Sequence, residues 1–238
     1  MKIFRTIFCL WSNYFNIRKI KKEQNILVFY SEHSSDWMYL EPVIQDLQNK
    51  GINVVRLTSD ENDNFLKMNN TYYIGSGILR TIIFRTIDTK GFVMTLTDLN
   101  TFHLKKSIYP VHYFYLFHSL VSTHRVYREH AFNGYDTIFC CGNYQIEEIR
   151  ETEKKYNLNN KVLIKQGYVR LDELLNKKIS VNHKNKNIII APTWGISSLI
   201  KKSLEKLIKI LLTNQYNVTL RLHPMTLRHD PSFENKIK

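Results

Sequence analysis

Short apolar runs return along this chain with helix-length amphipathic segments between them, and this alternation restricts its fold more than any other feature. NILVFY (25–30), INVVRL (52–57), TYYIG (71–75), GFVMTL (91–96), VHYFYLF (111–117), TIFCC (137–141) and KVLIK (161–165) are each five to seven residues long. Runs of that length, rich in β-branched and aromatic residues, read as strands buried on both faces. Between the first two, Leu40, Val43, Ile44 and Leu47 share one face of a helix over about 36–49. Gly51 stands where such a helix stops, and Pro42 is compatible only with its first turn or so. A second helix is predicted from Ser76 or Gly77, and a polar one over about 143–156. Strands alternating with helices imply parallel sheets covered by helices, an α/β fold.

The pattern restarts after a Lys/Asn-rich stretch, KKISVNHKNKN (177–187), the best linker candidate. NIIIAP (187–192) reads as a strand. A helix from about Ser197 to Thr213 carries Ile200, Leu204, Leu207, Ile208 and Leu211 on one face, and NVTLRL (217–222) is the last strand. Two strands and one helix cannot bury both faces of a sheet, so this second unit is expected to be incomplete or docked onto something else. The chain thus divides into a basic, aromatic segment 1–22, a Rossmann-like unit 23–176 and a partial second one, 187–238. No internal repeat is present.

Charge is unevenly placed. Residues 1–22 hold six basic and no acidic side chains, 23–150 hold 11 and 14, and 151–238 hold 17 and 7. A basic face attracts phosphate-rich partners: nucleic acid, anionic lipid or a nucleotide-linked substrate. A solvated lysine surface is the plainer reading of the last third. Lysines and aromatics do not interleave as in single-strand binders, and no docking motif is present, so nucleic acid is not expected.

In the first segment Phe4, Ile7, Phe8, Trp11 and Phe15 recur at helical spacing among Arg5, Arg18, Lys19, Lys21 and Lys22. That suits either a helix on an anionic membrane surface or a first helix packed on its own domain. The apolar stretch is too short for a signal peptide and no run is long enough to span a bilayer. Cys9, Cys140 and Cys141 lack metal-ligand spacing and are expected to be reduced, as in a cytosolic chain.

In an open α/β sheet, ligands sit beyond the carboxyl ends of the strands. Five polar groupings fall there: Tyr30-Ser31-Glu32-His33, Thr97-Asp98, His118-Ser119, Ala191-Pro192-Thr193-Trp194-Gly195 and Arg221-Leu222-His223-Pro224. His118 has the chemistry of a general base, because imidazole titrates near neutrality. His118, His124 and His130 are six apart, not a helical ligand spacing, so no metal site is expected. In APTWGISS, Gly195 lets backbone approach a ligand, and the free N–H groups near Ser197 and Ser198 can hold phosphate oxygens. Serine as a plain helix cap fits equally well. Arg221 and His223 could face the same phosphates from the neighbouring strand end. Neither GxxxxGK[ST] nor GxGxxG occurs, which argues against P-loop nucleotidases and dehydrogenases.

YPVHYFYLFHS (109–119), YDTIFCCG (135–142), GYVRLDELL (167–175), IIIAPTWG (188–195) and VTLRLHP (218–224), taken in order, resemble the CDP-glycerol glycerophosphotransferase family, builders of teichoic-acid-like polymers. The resemblance covers about half the chain and implies a GT-B architecture of two Rossmann-like domains. It implies transfer of glycerol phosphate, or a related polyol phosphate, from CDP-glycerol to a hydroxyl on a membrane-linked acceptor, releasing CMP. No cofactor is implied beyond the nucleotide donor. The place implied is the cytoplasmic face of the membrane, with peripheral attachment. By position, His118 matches the family's suggested base and His223 its second histidine, near the donor phosphates. Thr193, Trp194 and Gly195 match the donor-side turn, and Arg170 and Asp172 match a GxxRxD segment at the domain junction. Ser119 stands where the family usually has glycine. The family continues past its RxHP segment to an acidic-Tyr-Ser-Ser motif that does not occur before Lys238, so the second domain is expected to be partial. A GT-B glycosyltransferase using a nucleotide sugar for capsule or lipopolysaccharide, and a non-catalytic acceptor-binding relic, are the competing expectations.

Overall fold

The computed structural model describes residues 13–20, 25–101, 104–176, 186–194 and 203–232. The chain forms two compact units, Met1–Lys177 and Lys178–Lys238. Residues 177–185 of the linker candidate and residues 195–202, the start of the last long predicted helix, lie outside the described residues.

The first unit is built on seven strands: β1 (Ile26–Ser31), β2 (Asn53–Thr58), β3 (Thr71–Tyr73), β4 (Gly91–Met94), β5 (His112–Leu116), β6 (Thr137–Cys140) and β7 (Val162–Lys165). Every pairing is parallel and the spatial order is β3-β2-β1-β4-β5-β6-β7. The chain runs outward from β1 through β2 to β3, then returns to β4 on the other side of β1. The crevice beyond the carboxyl ends of β1 and β4 is therefore the switch point at which ligands bind in such sheets.

Both sheet faces are apolar, which is why the strands read as unbroken hydrophobic runs. Val28 and Tyr30 of β1 join Leu57, Phe92, Met94, Tyr113, Tyr115 and Ile138 in one core. Phe29, between them, points the other way and packs with Val54, Val93 and Leu116 against Trp37, Leu40 and Ile44. Those last three lie on the helix Trp37–Asn49, whose apolar spacing predicted it. Pro42 sits in the second turn rather than the first. Its missing N–H leaves the Met38 carbonyl, four residues earlier, without its helical partner. Arg56 on β2 is buried among these apolar side chains, its guanidinium held by Glu41 of the same helix.

Residues 13–17 are helical, and Ile17 and Ile20 are buried in the first core. Asn13 donates to the Tyr73 carbonyl of β3 (2.9 Å). This part of the basic, aromatic segment therefore packs on its own unit, with Phe15, Arg18 and Lys19 exposed; residues 1–12 lie outside the described residues. Among the described residues no helix is long and apolar enough to cross a membrane.

The second unit pairs β8 (Asn187–Ile190) with β9 (Asn217–Leu220) in parallel, with the helix Leu204–Thr213 between them in sequence. Ile190 and Leu204 are buried, whereas Ile189 on the other sheet face is 70% exposed.

Candidate functional site

β5 ends at Leu116, so His118 emerges beyond the carboxyl edge of the first sheet. Three aromatic and acidic neighbours surround it. The Tyr39 ring lies 5.9 Å from the imidazole and 6.0 Å from the Tyr168 ring. The Tyr168 hydroxyl donates to the His118 carbonyl (3.4 Å), which ties the backbone after β5 to the loop after β7. Burial, and next the Tyr39 phenol, push the Tyr168 hydroxyl up to about 12, so it stays protonated and able to donate. Asp36 is the charged neighbour. It closes a 3-10 turn, Ser34–Asp36, that follows β1 at the switch point. Its Oδ2 accepts from the His33 N–H (3.4 Å) and the Ser31 hydroxyl (3.5 Å).

Burial lowers the affinity of His118 for a proton, and the nearby Asp36 carboxylate partly opposes this. Burial likewise raises Asp36, opposed by the His33 N–H and by His118. His118 Nδ1 is shut off from solvent and has no hydrogen-bond partner among the described residues. The ring is therefore neutral near pH 7.

A pH dependence follows, with its sign fixed by the direction of the shift. The unfolded chain takes up this proton first as pH falls, so the fold loses stability below the ordinary histidine value of 6.5. The His118 ring is expected to titrate below 6.5, and lower still in Asp36→Asn, which removes the neighbouring negative charge. NMR of the ring protons measures both. A midpoint at or above 6.5 would overturn the burial argument.

The other groupings of the first unit serve different ends. Glu32 and Tyr30 hold Arg80 Nη1 (2.7 and 3.1 Å) beside an open hollow lined also by His33, Ser59, Asp60 and Tyr73. Thr97 donates to the adjacent Asp98 carboxylate and the Asp98 N–H reaches the Ala131 carbonyl, so this pair shapes its own loop. Ser119 lies 3.3 Å from the Tyr127 hydroxyl. A more enclosed cavity of ≈ 480 Å³, between Thr123, Tyr127, Phe132 and Lys155, does not include His118. Burial pushes the thiols of Cys140 and Cys141 up to about 12 and about 11, which removes them as nucleophiles. Among the described residues no cluster of His, Cys, Asp and Glu has the makings of a metal site.

Arg170 lies on the helix Val169–Leu175 and pairs with Glu173 (2.7 Å). Asp172 sits in the first turn of that helix, where its charge complements the helix dipole.

In the second unit, His223 caps the short helix Pro224–His229: its Nδ1 accepts from the Met225 N–H (3.1 Å). With Nδ1 accepting that bond, the ring carries a proton on Nε2. Arg221 is exposed, its N–H on the Ile190 carbonyl (2.9 Å). Trp194 is exposed, with His223 6.3 Å away and His229 stacked on it at 5.6 Å. Thr193 is exposed beside it, while Gly195, Ser197 and Ser198 lie outside the described residues.

The sequence did not single out Asp36, Tyr39 or His229, because nothing in their local pattern marks them. Tyr168 falls inside the GYVRLDELL segment and had that signal.

This arrangement of strands and loops has solved counterparts. One structure of the wall teichoic acid polymerase TagF matches 94% of this chain at a TM-score of 0.54 and 12% identity. The chain shares its fold with that structure. A second structure of TagF matches 98% of the chain (TM-score 0.54, 14% identity), and a variant soaked with CDPG matches 95% (0.51, 14%). These likenesses support the α/β fold expected from the strand–helix alternation and the Rossmann-like, GT-B type that the resemblance implies. This chain spans 63–65% of the length of those proteins. No model of a known protein family matches the sequence, and no curated protein matches it.

Proposed function

We propose that this chain is a transferase of the teichoic acid polymerase type, moving glycerol phosphate or a related polyol phosphate from a CDP-linked donor to a hydroxyl on a membrane-linked acceptor. The observation that carries this reading is His118: a neutral imidazole at the carboxyl edge of a parallel sheet, beside the switch point, in the fold of a polymer-building enzyme. His118 Nε2 takes the acceptor's proton as its oxygen attacks the phosphorus that bears the glycerol. The new P–O bond forms as the anhydride P–O bond to CMP breaks, and CMP leaves with the electron pair.

His223 and Arg221 stand near the donor phosphates in this reading, with Thr193, Trp194, Gly195, Ser197 and Ser198 forming the donor-side turn. Arg170 and Asp172 act at the junction through the helix that carries them. Such phosphoryl transfer depends on positioning and charge stabilisation, which protein side chains supply without a cofactor. The working place is the cytoplasmic membrane surface, where the basic, aromatic N-terminal segment meets anionic lipid.

The test is donor choice. The purified chain, given CDP-glycerol and a lipid-linked hydroxyl acceptor, is expected to release CMP and lengthen the acceptor. Release of UDP or GDP from a nucleotide sugar, with CDP-glycerol untouched, would replace this reading with a glycosyltransferase. Acceptor binding without release from any nucleotide would make it a binding module.

A further inference from the structure

We infer that the outer face of the helix Ile78–Thr86, with Ile108 at its end, is a contact surface for an anionic lipid bilayer. This deepens the membrane-surface reading by naming where the folded unit itself meets lipid.

Helix positions four and three apart share a face. Ile83 and Phe84 take the inward side of this helix and are buried in the core. Ile78, Ile82 and Arg85 therefore form the opposite stripe. Ile78 is 81% exposed and Ile82 42%. The Ile108 N–H donates to the Arg85 carbonyl (3.0 Å), so Ile108, itself 67% exposed, extends the stripe past the helix end. Three exposed isoleucines in one line cost hydration with nothing from the described protein to cover them. Phe15, Arg18 and Lys19 are exposed on a segment that packs into the same core, on the same side of the sheet.

Charge decides the occupant. Arg85 and Lys90 are exposed, and between residues 76 and 97 Asp88 is the single acid, half-buried. Aliphatic side chains on a helix face, with Arg85 in their stripe and Lys90 just beyond the helix end, match the headgroup–acyl boundary of an anionic membrane. A protein groove would call for a recessed, aromatic anchor instead.

The full chain is mixed with phosphatidylglycerol/phosphatidylcholine vesicles and with pure phosphatidylcholine vesicles, and the bound fraction is read by sedimentation. Binding to the anionic vesicles is expected, weakened by salt. The double variant Ile78→Asp/Ile82→Asp, at surface positions that leave the core intact, is expected to bind about tenfold or more weakly. Arg85→Glu is expected to lose about fivefold or more. Val162→Asp replaces an exposed apolar residue at the far edge of the sheet, on β7, and is expected to bind like the parent. Circular dichroism of each variant checks that it is folded. Parent-like binding by the double variant, an equal loss in Val162→Asp, or no preference for anionic vesicles would overturn the inference. Vesicle binding without CMP release would leave this surface standing and remove the transferase. CMP release to a soluble acceptor without vesicle binding would do the reverse.

Discussion

In His118→Ala, the turnover number for CMP release is expected to fall by about 10²–10⁴-fold, the usual contribution of a positioned general base. KM for the donor is expected to change little, since the imidazole acts on the acceptor's proton. The acidic limb of the parent's pH–rate profile should lie below 6.5, because burial lowers the proton affinity of this ring, and it should vanish in the variant. Steady-state kinetics across pH measures both. Unchanged turnover would remove His118 from the mechanism. Asp36→Asn is expected to act more mildly: it leaves the base in place and shifts the acidic limb further down.

The largest expected loss of stability comes from Glu41→Ala. Arg56 is 2% exposed on β2, with its Nε and Nη2 3.0 and 2.7 Å from the Glu41 carboxylate. Gln48 stands at 3.5 Å, too far to replace that pairing. Removing the carboxylate leaves a guanidinium buried and unpaired, at a cost of about 3–5 kcal/mol. For a unit of this size that lowers the thermal midpoint by roughly 10 °C. The double variant Glu41→Leu/Arg56→Met removes both charges and is expected to return to within about 2 kcal/mol of the parent. Calorimetry or denaturant titration separates the two variants. A single variant as stable as the parent would mean that water reaches Arg56 after all.

Arg56 also shows where sequence reading stops. Within INVVRL it is one charge in an apolar run, and the strand is predicted around it correctly. That its partner is Glu41, fifteen residues earlier on a helix, follows only once that helix lies across β2. Pro42 behaves similarly. Its chemistry allowed about one turn of helix before it, and the chain takes the five residues from Trp37, a little more than one turn.

What the sequence determined by itself is local and periodic. Strand runs, helical faces, the Gly51 stop and the placing of His118 and His223 after strands all follow from side-chain spacing along a continuous chain. The tertiary structure decided what no spacing encodes: the order β3-β2-β1-β4-β5-β6-β7, and hence which strand ends share the switch point. It decided that Asp36, Tyr39 and Tyr168, from two separate helical regions, converge on His118. The reason is physical. Periodicity is fixed by the geometry of one element, whereas a site assembled at a sheet edge depends on which elements pack together, and burial by those neighbours sets the proton affinity of its imidazole.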